Sequence, residues 1–121
     1  MEIIWNLING SRTEVPDNDY AAFVDVRDIA RAHLRAYLVK EAANQRFLAA
    51  AGQFLYQNAR VIIRGRFPQL EGMVPKGVPG TGLETYIVDG SKAERALGFE
   101  YRSLDSVLAD TVEDLLGALS V

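Results

Sequence analysis

The sequence has no cysteine, which excludes a disulfide framework, a thiolate nucleophile and a thiolate metal site. It has one histidine, His33, and the scattered carboxylates around it offer no metal-ligand spacing, so no metal site is expected. No apolar run approaches the ~18 residues that span a bilayer, and Met1-Glu2-Ile3-Ile4-Trp5 lacks the basic start of a secretory signal. There is no basic block either: 13 Lys and Arg stand against 16 Asp and Glu, a net charge of −3, which leaves no footprint for a phosphate backbone. These absences argue against nucleic-acid and membrane partners and fit a cytoplasmic location.

What is present is 121 residues, 49% of them apolar, enough for a single globular lobe over 1–121 that buries about two-thirds of its unfolded surface. The chain is organised around residues 23–34, Phe-Val-Asp-Val-Arg-Asp-Ile-Ala-Arg-Ala-His-Leu. Phe23, Val24 and Val26 read as a short buried strand. Ile29, Ala30, Leu34, Tyr37 and Leu38 then recur at helical spacing as one apolar stripe expected to face the core. The period changes near Asp28, which is expected to cap the helix and complement its dipole.

Before this stretch, Glu2 to Ile8 reads as a helix with Ile3, Ile4, Leu7 and Ile8 on one side, closed by Asn9-Gly10 as a left-handed cap. It begins without a cap, which fits an element cut from something longer as well as a frayed end. Ser11 to Tyr20 is polar, with turn chemistry at Val15-Pro16-Asp17-Asn18. Arg46 to Gly52 reads as a second strand, completing a βαβ pattern. A helix from Leu55 to Arg66, with Leu55, Ala59, Ile62 and Ile63 inward, stops ahead of Pro68. Gly72 to Gly82 holds too many breakers for regular structure. Thr85 to Asp89 is a third candidate strand. Ser91 and Glu94 form a capping box for a helix reaching Leu97, Gly98 ends it, and Ser103 opens a last helix with a leucine- and valine-rich seam from Leu104 to Leu119.

None of these residues assembles into catalytic machinery. His33 has no adjacent hydroxyl and orienting carboxylate at a recognisable spacing and reads as structural. Asp25, Arg27, Asp28 and Arg31 read as an ion-pair network at the strand-helix junction. Gly77, Gly80 and Gly82 do not match a phosphate-binding loop, and they lead into a strand where such a loop leads into a helix. Tyr37 and Lys40 stand three residues apart where a proton-transfer pair needs four, so Tyr37 is assigned to the core.

Residues 23–34 together with Arg46-Phe47-Leu48, Phe67-Pro68-Gln69-Leu70-Glu71-Gly72, Val74-Pro75-Lys76-Gly77, Pro79-Gly80-Thr81-Gly82, Ser91-Lys92-Ala93, Leu97-Gly98-Phe99-Glu100 and Ser103-Leu104 resemble the C-terminal part of extended short-chain dehydrogenases/reductases. Within them the chain looks most like the dihydroflavonol 4-reductase branch, in particular the yeast-type NADPH-dependent methylglyoxal and aldehyde/ketone reductases. The resemblance runs from Glu2 to Leu116.

It implies an α/β fold: the C-terminal, substrate-side lobe of a Rossmann-type reductase, with a few short strands and about five helices. The family's glycine-rich loop and its tyrosine-lysine pair four residues apart have no counterpart here. The resemblance therefore implies no catalytic and no cofactor-binding residue in this chain, NADPH as cofactor of the full-length parent only, and an inactive piece when alone. Tyr20, Ala21, Ala22 and Phe23 correspond to the segment that roofs the family's substrate pocket. The expected partners are a small carbonyl substrate in the parent and either the missing N-terminal half or further copies of the chain, which would cover otherwise exposed edges. A stand-alone binding or assembly module, and the C-terminal part of an NAD-dependent epimerase or dehydratase, are the alternative readings.

Overall fold

The computed structural model describes residues 2–18, 21–77 and 85–119. Its helices are α1 (Glu2–Ile8), α2 (Val26–Leu38), α3 (Tyr56–Arg66), α4 (Ser91–Leu97) and α5 (Leu104–Leu119), with 3₁₀ turns at Lys40–Ala42 and Pro68–Leu70. The Cα positions divide into two units, one of Met1–Asp19, Leu55–Glu84 and Asp105–Val121, the other of Tyr20–Phe54 and Thr85–Leu104.

In the first unit α1 buries Ile4, Leu7 and Ile8 and leaves Ile3 exposed. Gly10 closes it at φ 77°, as the Asn-Gly pair predicts. The first amide of α3, Tyr56 N, donates to Asn18 Oδ1 at 3.0 Å, because the N-cap residue Leu55 has no side-chain acceptor. The helix buries Tyr56, Ala59, Arg60 and Ile63 and ends ahead of Pro68. Arg64 holds the following turn, donating from Nη1 to the carbonyls of Glu71 (2.6 Å) and Val74 (2.8 Å) and from Nη2 to the Glu71 carboxylate. In α5 the seam buries Leu108, Ala109 and Val112, and Leu119 lies exposed.

The second unit is built on Ala32, Ala42, Ala93, Leu97 and Phe99, with Val39, Phe47 and Tyr101 packed against them. Phe99 and Tyr101 meet edge to face at 4.9 Å. Gly98 ends α4 at φ 70°, and Arg35 Nε donates to the Leu97 carbonyl at 2.7 Å, serving an acceptor that the end of the helix leaves free.

Four expectations are corrected here. The strand readings at 23–26, 46–52 and 85–89 reduce, among the described residues, to one antiparallel bridge between Phe23 and Gly52, with Phe54 N donating to Ala21 O at 3.1 Å. Because α2 starts at Val26, the extended stretch before it is too short for a ladder. The cap of α2 is Asp25, whose Oδ1 accepts from Arg27 N; Asp28 is buried inside the first turn. Gly90 is the N-cap of α4 and offers no side chain, so the Ser91–Glu94 box does not form; Asp89 Oδ1 accepts from Ser91 N at 2.9 Å in its place. The predicted stripe of α2 faces outward, with Leu34 58%, Tyr37 87% and Leu38 60% exposed. Tyr37 is therefore not a core residue. The inward face is the Asp28, Ala32, Arg35 row, drawn in by polar bonds to Arg102 and Leu97 that outweigh the apolar stripe.

Candidate functional site

The junction ahead of α2 gathers the charges singled out in the sequence, and it pairs them in two separate ways. Asp25 is buried and takes a bidentate contact from Arg27, Nε to Oδ1 at 2.9 Å and Nη2 to Oδ2 at 2.7 Å, besides the backbone cap bond. The Arg27 side-chain bonds hold its carboxyl at about 2, below the usual value of 3.8, against the opposing effect of burial. Asp28 is fully buried and accepts from Arg102 N at 2.8 Å and Arg102 Nη1 at 2.5 Å. Arg31, grouped with them by sequence, lies exposed on the helix. Both carboxylates thus act as structural acceptors, as the ion-pair reading expects.

The roof segment follows directly. Tyr20 lies outside the described residues. Ala21 is buried and its carbonyl is bonded to Phe54 N; Ala22 and Phe23 are half-buried, and the Phe23 ring lies over Gly52. The backbone of Phe23 is fixed by Phe23 N to Gly52 O at 3.1 Å and Ala51 N to Phe23 O at 2.8 Å. These bonds hold the segment rigidly two residues before the α2 cap.

Two clefts lie apart from it. One, of about 570 Å³ in the second unit, is lined by Arg46, Phe47, Leu48, Asp89 and Lys92. Lys92 Nζ sits 5.0 Å over the Phe47 ring and donates to Arg46 O at 2.9 Å, so its charge is already engaged. The other, of about 230 Å³ in the first unit, is formed by α1, Arg12, Pro16, Asp17 and Tyr56. Ala21, Ala22 and Phe23 line neither. His33 Nδ1 is 2.8 Å from the Ile29 carbonyl, one turn back on its own helix. Tyr101 donates to Gly90 O at 2.9 Å, and burial raises the pKa of its phenol. Among the described residues no group of three potential metal ligands converges. The arrangement offers shape and hydrogen bonds; no nucleophile stands beside a base among the pairs described.

Sequence reasoning missed Arg102 as an organiser of this junction, and Arg35 and Tyr101 as the donors to the Leu97 and Gly90 carbonyls. Arg102 meets Asp28 across 74 residues, and only the Asp28, Ala32, Arg35 spacing hinted that a polar row turns inward.

No protein-family model matches the chain. Among curated relatives, the Saccharomyces cerevisiae oxidoreductase YDR541C is 40% identical over 84% of this chain and 30% of its own length. The NADPH-dependent methylglyoxal reductase Gre2 of the same yeast is 31% identical over 95% of this chain and 35% of its own. The crystal structure of yeast methylglyoxal/isovaleraldehyde reductase Gre2 complexed with NADPH matches 99% of this chain and 41% of that chain at TM-score 0.87 and 30% identity. The chain thus spans about a third of the length of the curated relatives it matches. In sequence and in fold it is homologous to the C-terminal lobe of the NADPH-dependent methylglyoxal reductases and related oxidoreductases.

Proposed function

We propose that this chain is the substrate-side portion of an NADPH-dependent reductase of aldehydes or ketones and is inactive by itself. The observation that carries this reading is the match over 99% of the chain to a reductase solved with NADPH. Asp25, Asp28 and Asp89 are engaged in caps and ion pairs, which fits a piece that shapes a pocket and does not move protons. In this reading Tyr20, Ala21, Ala22 and Phe23 wall the carbonyl-binding side of the pocket, and the bonds of Ala21 to Phe54 and of Phe23 to Ala51 and Gly52 support it. NADPH binds the parent, and the chain works with a cofactor-binding part in the cytoplasm. No helix among the described residues is long and apolar enough to cross a membrane.

The test is a Gre2 chimera in which this chain replaces the stretch it matches. NADPH-dependent reduction of methylglyoxal by the chimera supports the reading. A chimera that folds and binds NADPH but reduces no aldehyde or ketone contradicts it.

A further inference from the structure

Arg60 is the charged side chain that the described residues bury without an opposite charge. It lies on α3, 7% exposed, and its one hydrogen bond runs from Nε to Gln57 Oε1 at 2.8 Å, a turn back on the helix. None of the ion pairs found among the described residues includes it, and α3 carries no Asp or Glu of its own. Arg64, a turn further on, is the contrast: two carbonyls and the Glu71 carboxylate take up its donors. No buried side-chain nitrogen among the described residues lacks a partner, so the unbonded Nη1 and Nη2 of Arg60 are where its remaining surface meets solvent. Gly77 closes over the other end at φ 63°, and a Cβ there would collide with Arg60 Nε and Gln57 Oε1.

We infer that Arg60 is an anion receptor whose Nη1 and Nη2 take the carboxylate of a small-molecule ligand end-on. A guanidinium is a planar fork of donors, and with Nε spent on Gln57 the edge left open is the Nη1–Nη2 edge, which matches the two oxygens of a carboxylate. Gln57, its Oε1 taken by Nε, still has both Nε2 hydrogens to donate. A buried cation without a partner keeps its desolvation penalty, and an arriving anion offsets it, so the position is poised for negative charge. One guanidinium balances one charge, which favours a monocarboxylate over a phosphate group carrying about −1.5 to −2. The narrow exposure of Arg60 admits a slender head group and excludes a protein surface. This site is independent of the proposed reductase function.

The experiment titrates the isotope-labelled chain with sodium acetate, against sodium chloride at equal ionic strength, and follows amide and guanidinium NMR shifts. Acetate is expected to move the Gln57, Arg60 and Gly77 signals saturably with a Kd on the order of 10 mM, the weak affinity of one charge-assisted pair, and chloride is expected to leave them in place. Arg60→Lys keeps the charge without the fork and should weaken acetate binding about tenfold; Arg60→Met should abolish it. Without acetate, Arg60→Met should melt no lower than the wild type, because it removes an unpaired buried charge, and acetate should raise the melting temperature of the wild type alone. Shifts that do not saturate, an equal response to chloride, or an acetate response that survives Arg60→Met overturns the site. So does an Arg60→Met chain that melts more than about 5 °C below the wild type, since the guanidinium would then be satisfied within the fold. Inorganic phosphate binding more tightly than acetate overturns the assignment to a carboxylate.

Discussion

Asp28→Ala removes an acceptor that no water can replace. The carboxylate has no accessible surface and holds two donors of Arg102, the backbone amide at 2.8 Å and Nη1 at 2.5 Å. Breaking a buried pair from one side costs about 3–5 kcal/mol, because the remaining partner keeps its desolvation penalty. Arg102 is 29% exposed, so its guanidinium recovers part of its hydration and the lower end applies: about 3 kcal/mol, or on the order of 10 °C in melting temperature for a chain of this size. Asp28→Asn keeps one oxygen for the Arg102 amide and loses the charge-assisted bond, about 2 kcal/mol. Arg102→Ala should match Asp28→Ala, and the double variant should cost at least 1.5 kcal/mol less than the two single losses together. Urea denaturation at pH 7 reads all four as midpoint shifts at constant slope. A loss under about 1 kcal/mol for Asp28→Ala, or strict additivity with Arg102→Ala, refutes the claim that this pair anchors α2.

The Asp25 carboxyl lies at about 2 when folded and at 3.8 when free, so its contribution is present above pH 4 and is lost as the pH falls toward 2. It is worth about 2 kcal/mol, and Asp25→Asn should flatten the stability profile over that window by the same amount, read by denaturation at stepped pH. Gly90→Ala should cost about 3 kcal/mol or prevent folding, because a Cβ there would run into the Ala50 backbone. Thermal melting checks it, and a shift of less than about 2 °C would mean that the 50–90 approach is loose. Arg35→Ala leaves the Leu97 carbonyl without its donor and should lower stability by about 1–2 kcal/mol, with faster amide exchange confined to α4 and its neighbours.

Helix boundaries set by local chemistry were legible. Gly10 and Gly98 both adopt positive φ where a left-handed cap was expected, and α3 stops before Pro68 as its sequence requires. Misreadings arose where long-range polar bonds decided the outcome. The hydrophobic pattern of α2 pointed Leu34, Tyr37 and Leu38 inward, but Asp28 and Arg35 reach Arg102 and Leu97, 74 and 62 residues away, and rotate the helix the other way. Asp25 displaced Asp28 as cap acceptor because it is the N-cap residue, where the extended backbone aims its carboxylate at the free Arg27 amide, and Asp89, two positions outside α4, reaches the Ser91 amide past the side-chain-less Gly90. The β-branched run at 23–26 carried real strand propensity, yet the helix begins on its last residue. Within the roof segment, the bonds of Ala21 to Phe54 and of Phe23 to Ala51 and Gly52 join residues about 30 positions apart, which no local spacing announces.

Titration of the isolated chain with NADPH, followed by cofactor fluorescence with intact Gre2 as the positive control, tests the central claim most directly. A substrate-side lobe without the cofactor-binding part gives no saturable signal up to millimolar NADPH. Saturable binding in the micromolar range would contradict that claim and require a cofactor site built from these 121 residues.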